Sequence, residues 1–146
     1  MHVAQKVAGT EIVAVDAMMV YRGMDIGTGK PSVDDQRAVQ HHLLDIAEPS
    51  ERFTVADFQT HAKKVLNDIA DQNGHALLVA GTGMYLQVVV DNFTLPGDYP
   101  EIRAQLEARD PAEMFAELRE LDPEAALKME STNARRIVRA LEVCLG

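Results

Sequence analysis

The apolar positions change period along the chain, and each change marks an element. "EIVAV", residues 11–15, is an unbroken run rich in β-branched residues. It reads as a strand buried on both faces of a parallel sheet. "ALLVA", residues 76–80, repeats the pattern and predicts a second buried strand. Between them Val55, Phe58, Ala62, Val65, Leu66 and Ile69 recur at helical spacing. Thr54 with Asp57 three residues on forms a capping box at the start of that helix, Asp standing in for the usual Glu, and Gly74 marks its end. "HHLLDI", residues 41–46, predicts a short strand, and "MYLQVVV" after the "GTG" turn predicts a helix. Strand, helix, strand in this order predicts a parallel α/β sheet with a right-handed crossover.

Gly23, Gly27, Gly29 and Pro31 break any period between 17 and 32 and predict a loop of functional length. The pattern changes again at "TLPGDYP", residues 94–100. Beyond it, helical spacing runs over about 101–108, 111–120, 123–129 and 133–143. "DP" opens two of these helices, at 110–111 and 122–123, with Asp as cap and Pro as first helical residue. The expected organisation is an α/β core over 1–95 and a helical segment over 96–146.

Composition narrows this picture. The chain has 146 residues, 47% of them hydrophobic, which suffices for one compact core. A formal net charge of −9 argues against indiscriminate nucleic-acid binding but leaves room for a local basic face. The single cysteine, Cys144, excludes an internal disulfide and fits a reducing compartment. Its place near a helix end predicts a small buried hydrophobe. No apolar run approaches the ~20 residues that span a bilayer, and no signal-peptide pattern opens the chain. The expectation is a soluble, cytoplasmic protein.

Three features carry candidate chemistry. Asp16 ends the first strand, and ligands of open α/β sheets sit at that edge. A carboxylate there accepts a proton from a nucleophile, holds a metal-bound water, or caps local amides. In "AGTGMY", residues 80–85, helix-start amides and the Thr82 hydroxyl suit an anionic oxygen; the glycines alternatively serve a tight turn alone. "ARRIVRALEV", residues 134–143, places Arg135 and Arg139 on one helix face with Arg136 three residues before Arg139. That face suits phosphates, or is a solvated side with Glu142 paired to Arg139. His41 and His42 are adjacent and point to opposite faces of a strand, so neither reads as a metal ligand. Tyr21, Arg22 and Lys30 lie in the loop, within reach of a substrate.

"DAMMVYRGMDIGTGKP", "HHLLDI", "FTVADFQ", "LLVAGTGMYLQ" and "NARRIVRALEV" stand in the order and spacing of one family. Through nearly its whole length the chain resembles the tRNA dimethylallyltransferases, or tRNA isopentenyltransferases. The resemblance implies a P-loop-kinase-like parallel sheet with an inserted helical domain. It implies transfer of a dimethylallyl group from its diphosphate to N6 of an adenine beside the anticodon of tRNA. By resemblance Asp16 matches the general base, Thr82 the threonine of the family's GTG turn near the reacting groups, and Arg103 in "PEIRAQLE" an arginine of the tRNA and transfer site. Asp16, Ala17, Met18 and Met19 match one tRNA-contacting segment; Arg135, Arg136, Ile137, Val138 and Arg139 match another. The implied partners are tRNA and dimethylallyl diphosphate, and the implied cofactor is Mg2+.

Two departures touch the first motif: Ala17 stands where Ser is usual, and Met19 where Gln is frequent. The family's first strand and GxTxxGK[ST]-like diphosphate loop, with its magnesium-binding hydroxyl, would precede Met1, and the family continues past Gly146. The expectation is a chain truncated at both ends, with a sheet edge open to self-association. The alternative to an enzyme is an inactive remnant, a folded module with weak or no tRNA binding. A nucleotide kinase would share the fold but would not account for "DAMMVYRGMDIGT".

Overall fold

The structure is a computed structural model that describes residues 1–146. The backbone contacts divide it into Met1–Phe93 and Thr94–Gly146.

The first unit is built on a three-stranded parallel sheet of order β2-β1-β3. β1 (Thr10–Val15) is central, β2 is the pair His41–His42, and β3 is His75–Ala80. β1 and β3 run in register from Thr10–His75 to Val15–Ala80. Ile12, Val13, Ala14 and Val15 are all buried, as an apolar run in the middle of a covered sheet should be. β3 departs from expectation. It is not buried on both faces but lies at the sheet edge, and Val79 is 52% exposed.

The expected strand over 41–46 stops after His42, because Leu43 and Asp45 take left-handed backbone at φ 65° and 55°. Such a conformation is unfavourable for leucine, and the side chain is held there by burial in the core. The turn redirects the next residues onto the long loop. Ile46 and Ala47 amides donate to the Val20 carbonyl at 2.8 and 3.0 Å, and the Arg22 amide donates to Ala47.

Four helices complete this unit: α1 (His2–Lys6), α2 (Val33–Ala38), α3 (Val55–Asp71) and α4 (Gly83–Val90). The Thr54–Asp57 capping box forms as the sequence predicts. At the far end Asn73, not Gly74, takes the left-handed position, at φ 54°. Gly74 is needed for space: a Cβ there would lie 3.0 Å from Ile69 Cγ2 and 3.1 Å from the Gly9 carbonyl oxygen. Phe58, Ala62 and Ile69 of α3 and Tyr85 and Val89 of α4 pack with Val13, Val15 and Val20 into one core. Ala4 of α1 packs with Ile12 and Val39 in a smaller cluster.

The second unit is all helical: α5 (Pro100–Glu107), α6 (Pro111–Leu121), α7 (Pro123–Leu127) and α8 (Ala134–Leu145). Asp110 and Asp122 cap as expected; Asp110 accepts from the Ala112 and Glu113 amides, Asp122 from the Ala125 amide. α7 is two residues shorter than its apolar spacing suggests, ending at Leu127. Leu106, Met114, Leu118, Ala126, Ile137, Val138 and Leu141 form the core. Cys144 is exposed rather than buried, since it lies on the final turn of α8, past the packed residues Ile137, Val138 and Leu141. No helix is long and apolar enough to cross a membrane.

Candidate functional site

Because β1 and β3 are parallel and in register, the chain leaves both strands at the same edge. The residue after Val15 is Asp16; those after Ala80 are Gly81 and Thr82. The Gly81 and Thr82 amides both point back to the Val15 carbonyl, at 3.1 and 3.3 Å. Thr82 Oγ1 accepts the Ala17 amide at 3.1 Å, so the two turns are tied together. The hydroxyl does not cap α4, and its proton has no acceptor within the fold.

Asp16 Oδ1 accepts the Met18 amide at 2.7 Å and the Met19 amide at 3.1 Å. The local-amide cap therefore forms, but through one oxygen only. Oδ2 takes no protein donor. It is packed against Gly81, where an added Cβ would stand 2.2 Å from it. Only glycine leaves room for this carboxylate.

Asp16 lines a cleft of about 560 Å³ with Met18, Gly23, Met24, Asp25, Ile26, Gly27 and Thr28. The long loop thus forms one wall, as its length suggests. It is held by a residue to which sequence alone assigned no structural work. The Lys30 side chain is only 2% exposed, and Nζ donates to Asp25 and Asp45, each at 2.7 Å, and to the Tyr21 carbonyl at 2.9 Å. Burial alone would lower its pKa, but the hydrogen bonds and charges of Asp25 and Asp45 outweigh that and raise it. All three protons are used, so Lys30 is not a substrate contact. Arg22 is paired with Glu48 at 2.8 Å. The signal for the clamp was a lysine inside a glycine-rich loop with acids on both sides.

In the helical unit Arg103, Arg109, Arg135 and Arg139 line a depression of about 360 Å³. Arg103 donates to Glu142 Oε2 from Nε at 2.9 Å and from a terminal nitrogen at 2.6 Å. Arg139 reaches the Gly97 and Pro96 carbonyls at 3.0 and 3.2 Å, and Glu142 Oε1 at 3.1 Å. Arg109 pairs with Glu117 at 2.7 Å. Glu142 is fully buried. Burial alone would raise its carboxyl, but the Tyr99 amide and the Arg103 and Arg139 guanidinia hold it down to about 2. The expected solvated pair on α8 is thus a buried junction. The Arg135 and Arg136 side chains are exposed, and neither guanidinium makes a hydrogen bond or ion pair within the fold. Ile137 and Val138 are buried in the helical core, so their side chains are closed to a ligand.

No three His, Cys, Asp or Glu side chains gather as a metal site. His41 bonds the Val39 carbonyl at 2.8 Å and His42 meets Glu11 at 2.5 Å.

Residues 19–146 match the family described as IPP transferase. The chain is 46% identical over 137 residues to a tRNA dimethylallyltransferase of Bifidobacterium longum, covering 91% of this chain and 42% of that protein. A tRNA dimethylallyltransferase of Thermobifida fusca is 44% identical, with 91% and 43% covered. This chain therefore spans less than half the length of these relatives. Among solved structures, a tRNA isopentenylpyrophosphate transferase from Bacillus halodurans is 40% identical with a TM-score of 0.61, over 97% of this chain and 48% of that one. A eukaryotic dimethylallyltransferase acting on tRNA is 27% identical with a TM-score of 0.81, over 97% and 36%. The parallel α/β fold is the P-loop-like fold of these transferases, and the chain belongs to the IPP transferase family.

Proposed function

We propose that these residues serve transfer of a dimethylallyl group from dimethylallyl diphosphate to N6 of an adenine next to the anticodon of a tRNA. A bond forms between N6 and C1 of the dimethylallyl group, the C1–oxygen bond breaks, and diphosphate leaves. The N6 proton passes to Asp16. The observation that carries this is the division of labour within one carboxylate: Oδ1 is fixed by two amides while Oδ2 has no protein donor beside the cleft. Adenine N6 is a weak nucleophile, and a fixed acceptor of this kind is what it requires. An adenine stacked in an anticodon loop must also be extruded to reach it.

The Thr82 hydroxyl, whose oxygen already holds the Ala17 amide, donates its proton to an oxygen of the substrate. Ala17, Met18 and Met19 carry the backbone that fixes Asp16, and Met18 adds cleft wall. In the helical unit Arg135 and Arg136 contact tRNA phosphates, and Arg103 stands beside them with part of its donor capacity given to Glu142. Mg2+ belongs to the diphosphate in this scheme and is assigned no residue here. A cytoplasmic location follows from the substrate.

A chimera tests the proposal. Residues 1–146 replace the matched segment of the Bifidobacterium longum relative, and the product is assayed with tRNA, dimethylallyl diphosphate and Mg2+. Transfer to N6 is expected, and Asp16→Asn should lower kcat by roughly 100-fold or more with little change in tRNA affinity. Wild-type turnover in the Asp16→Asn chimera would remove the general base. A chimera that folds and binds diphosphate but transfers nothing would favour the inactive-module alternative.

A further inference from the structure

Ile26 is 99% exposed, the most exposed large apolar side chain of the protein. It stands on the rim of the cleft that holds Asp16. An isoleucine so placed on a floppy loop would mean little, but this loop is closed and pinned. The Gly29 amide donates to the Ile26 carbonyl and the Lys30 amide to the Asp25 carbonyl, both at 3.3 Å. Thr28 Oγ1 donates to the Met24 carbonyl at 2.5 Å. Gly29 takes the left-handed turn position at φ 68°, and buried Lys30 ties Asp25 to Asp45 and to the Tyr21 carbonyl. A buried cation and several hydrogen bonds hold one apolar side chain out in water.

The chemistry of the cleft says what that side chain meets. Its charged lining consists of Asp16 and Asp25, and the nearby cation Lys30 has no free proton. No free cation among these residues draws a nucleic-acid phosphate onto this wall. The amino edge of an extruded base is welcome at Asp16 and its apolar face at Met18, which leaves Ile26 on the rim for the base beside it.

We infer that Ile26 is a wedge that enters the anticodon loop beside the extruded adenine and packs against the neighbouring base, filling the space the adenine leaves. This rests on the function proposed above. Apolar side chains unstack bases in this way when they are held rigidly, and extrusion otherwise forfeits stacking with nothing in return. The wedge is a positioning residue; it touches no reacting atom.

The test uses the 146-residue chain and an anticodon stem-loop RNA with 2-aminopurine at the target adenine, whose fluorescence rises when the base leaves the stack. Ile26→Ala should weaken binding about tenfold, the scale of one aliphatic side chain lost from a buried contact, and lower the fluorescence rise at saturation. Ile26→Asp should lose more, and Ile26→Phe should retain both signals, since a ring also stacks. Full exposure of the position means that none of these changes disturbs the core. Unchanged affinity and amplitude in both Ile26→Ala and Ile26→Asp would refute the wedge alone. Failure of the unaltered chain to bind the RNA at all would refute the wedge, while the chimera assay decides the transferase reading separately. If Ile26→Ala instead dissociates a self-associated chain in sedimentation without RNA, the tip is a protein contact and the wedge falls.

Discussion

A single carboxylate, Glu142, shows how residue-scale chemistry sets stability in the helical unit. Its folded pKa is about 2, against an ordinary 4.5. Its contribution is therefore complete above about pH 4.5 and is lost as pH falls toward 2. Glu142→Gln should flatten the acid limb of helical-unit unfolding in that window. At neutral pH it should cost roughly 3 kcal/mol, because Arg103 and Arg139 lose their shared partner. Circular dichroism against pH and denaturant reads both effects. The sequence pattern suggested a surface pair, since Glu142 follows Arg139 by three. Its other spacing was the better guide: four residues after Val138 and next to Leu141, it lies on the buried side of α8. Asp16 was legible for a simpler reason. Two apolar strands in register place the residues that follow them side by side, so Asp16 and the GTG turn had to meet. That contact also fixes Gly81. Gly81→Ala should displace Oδ2 and, in the chimera assay, lower kcat far more than tRNA affinity, with the melting temperature nearly unchanged.

Among the elements, α8 and the loop after β1 divide into parts that hold the fold and parts left free. On α8, Ile137, Val138, Leu141 and Glu142 face inward, Arg139 is consumed by two carbonyls and Glu142, and Arg135 and Arg136 remain. Arg135→Ala and Arg136→Ala should each reduce the salt slope of tRNA binding, by roughly one unit or less. Arg139→Ala should instead lower stability. A filter-binding series over salt, paired with thermal melts, separates the two. The helical spacing of "ARRIVRALEV" made the helix legible, but it could not tell a free guanidinium from a tethered one, because the tethers come from residues 96–97, some forty positions away. The strand in "HHLLDI" stops after His42 for a similar reason. Its apolar residues fit a strand, but Leu43 and Asp45 turn left-handed so that the chain can reach Val20 and Lys30, and nothing local in the sequence announces that demand.

At the scale of the whole molecule, two units with separate cores meet the chain's burial needs in different ways. The helical unit closes most of its apolar surface over itself through α5, α6 and α8. The sheet does not. β3 bonds to β1 along one edge only, and its Val79 is half exposed. Unpaired strand edges recruit other strands, so the 146-residue chain should self-associate as its concentration rises. Val79→Lys should shift it toward monomer in sedimentation velocity while leaving the β1–β3 amides protected in hydrogen exchange. A concentration-independent monomer in the unaltered chain would show that the edge is guarded some other way. The clamp at Lys30 has an analytical consequence. Lys6, Lys63, Lys64 and Lys128 are all exposed, whereas Lys30 is shut away with its proton held fast. An amine-directed acylating reagent will therefore label four lysines quickly and the fifth only when the loop lets go. Mass spectrometry of that one peptide becomes a clock for loop opening, and any slowing in the presence of RNA would measure how firmly a bound RNA keeps the wall shut.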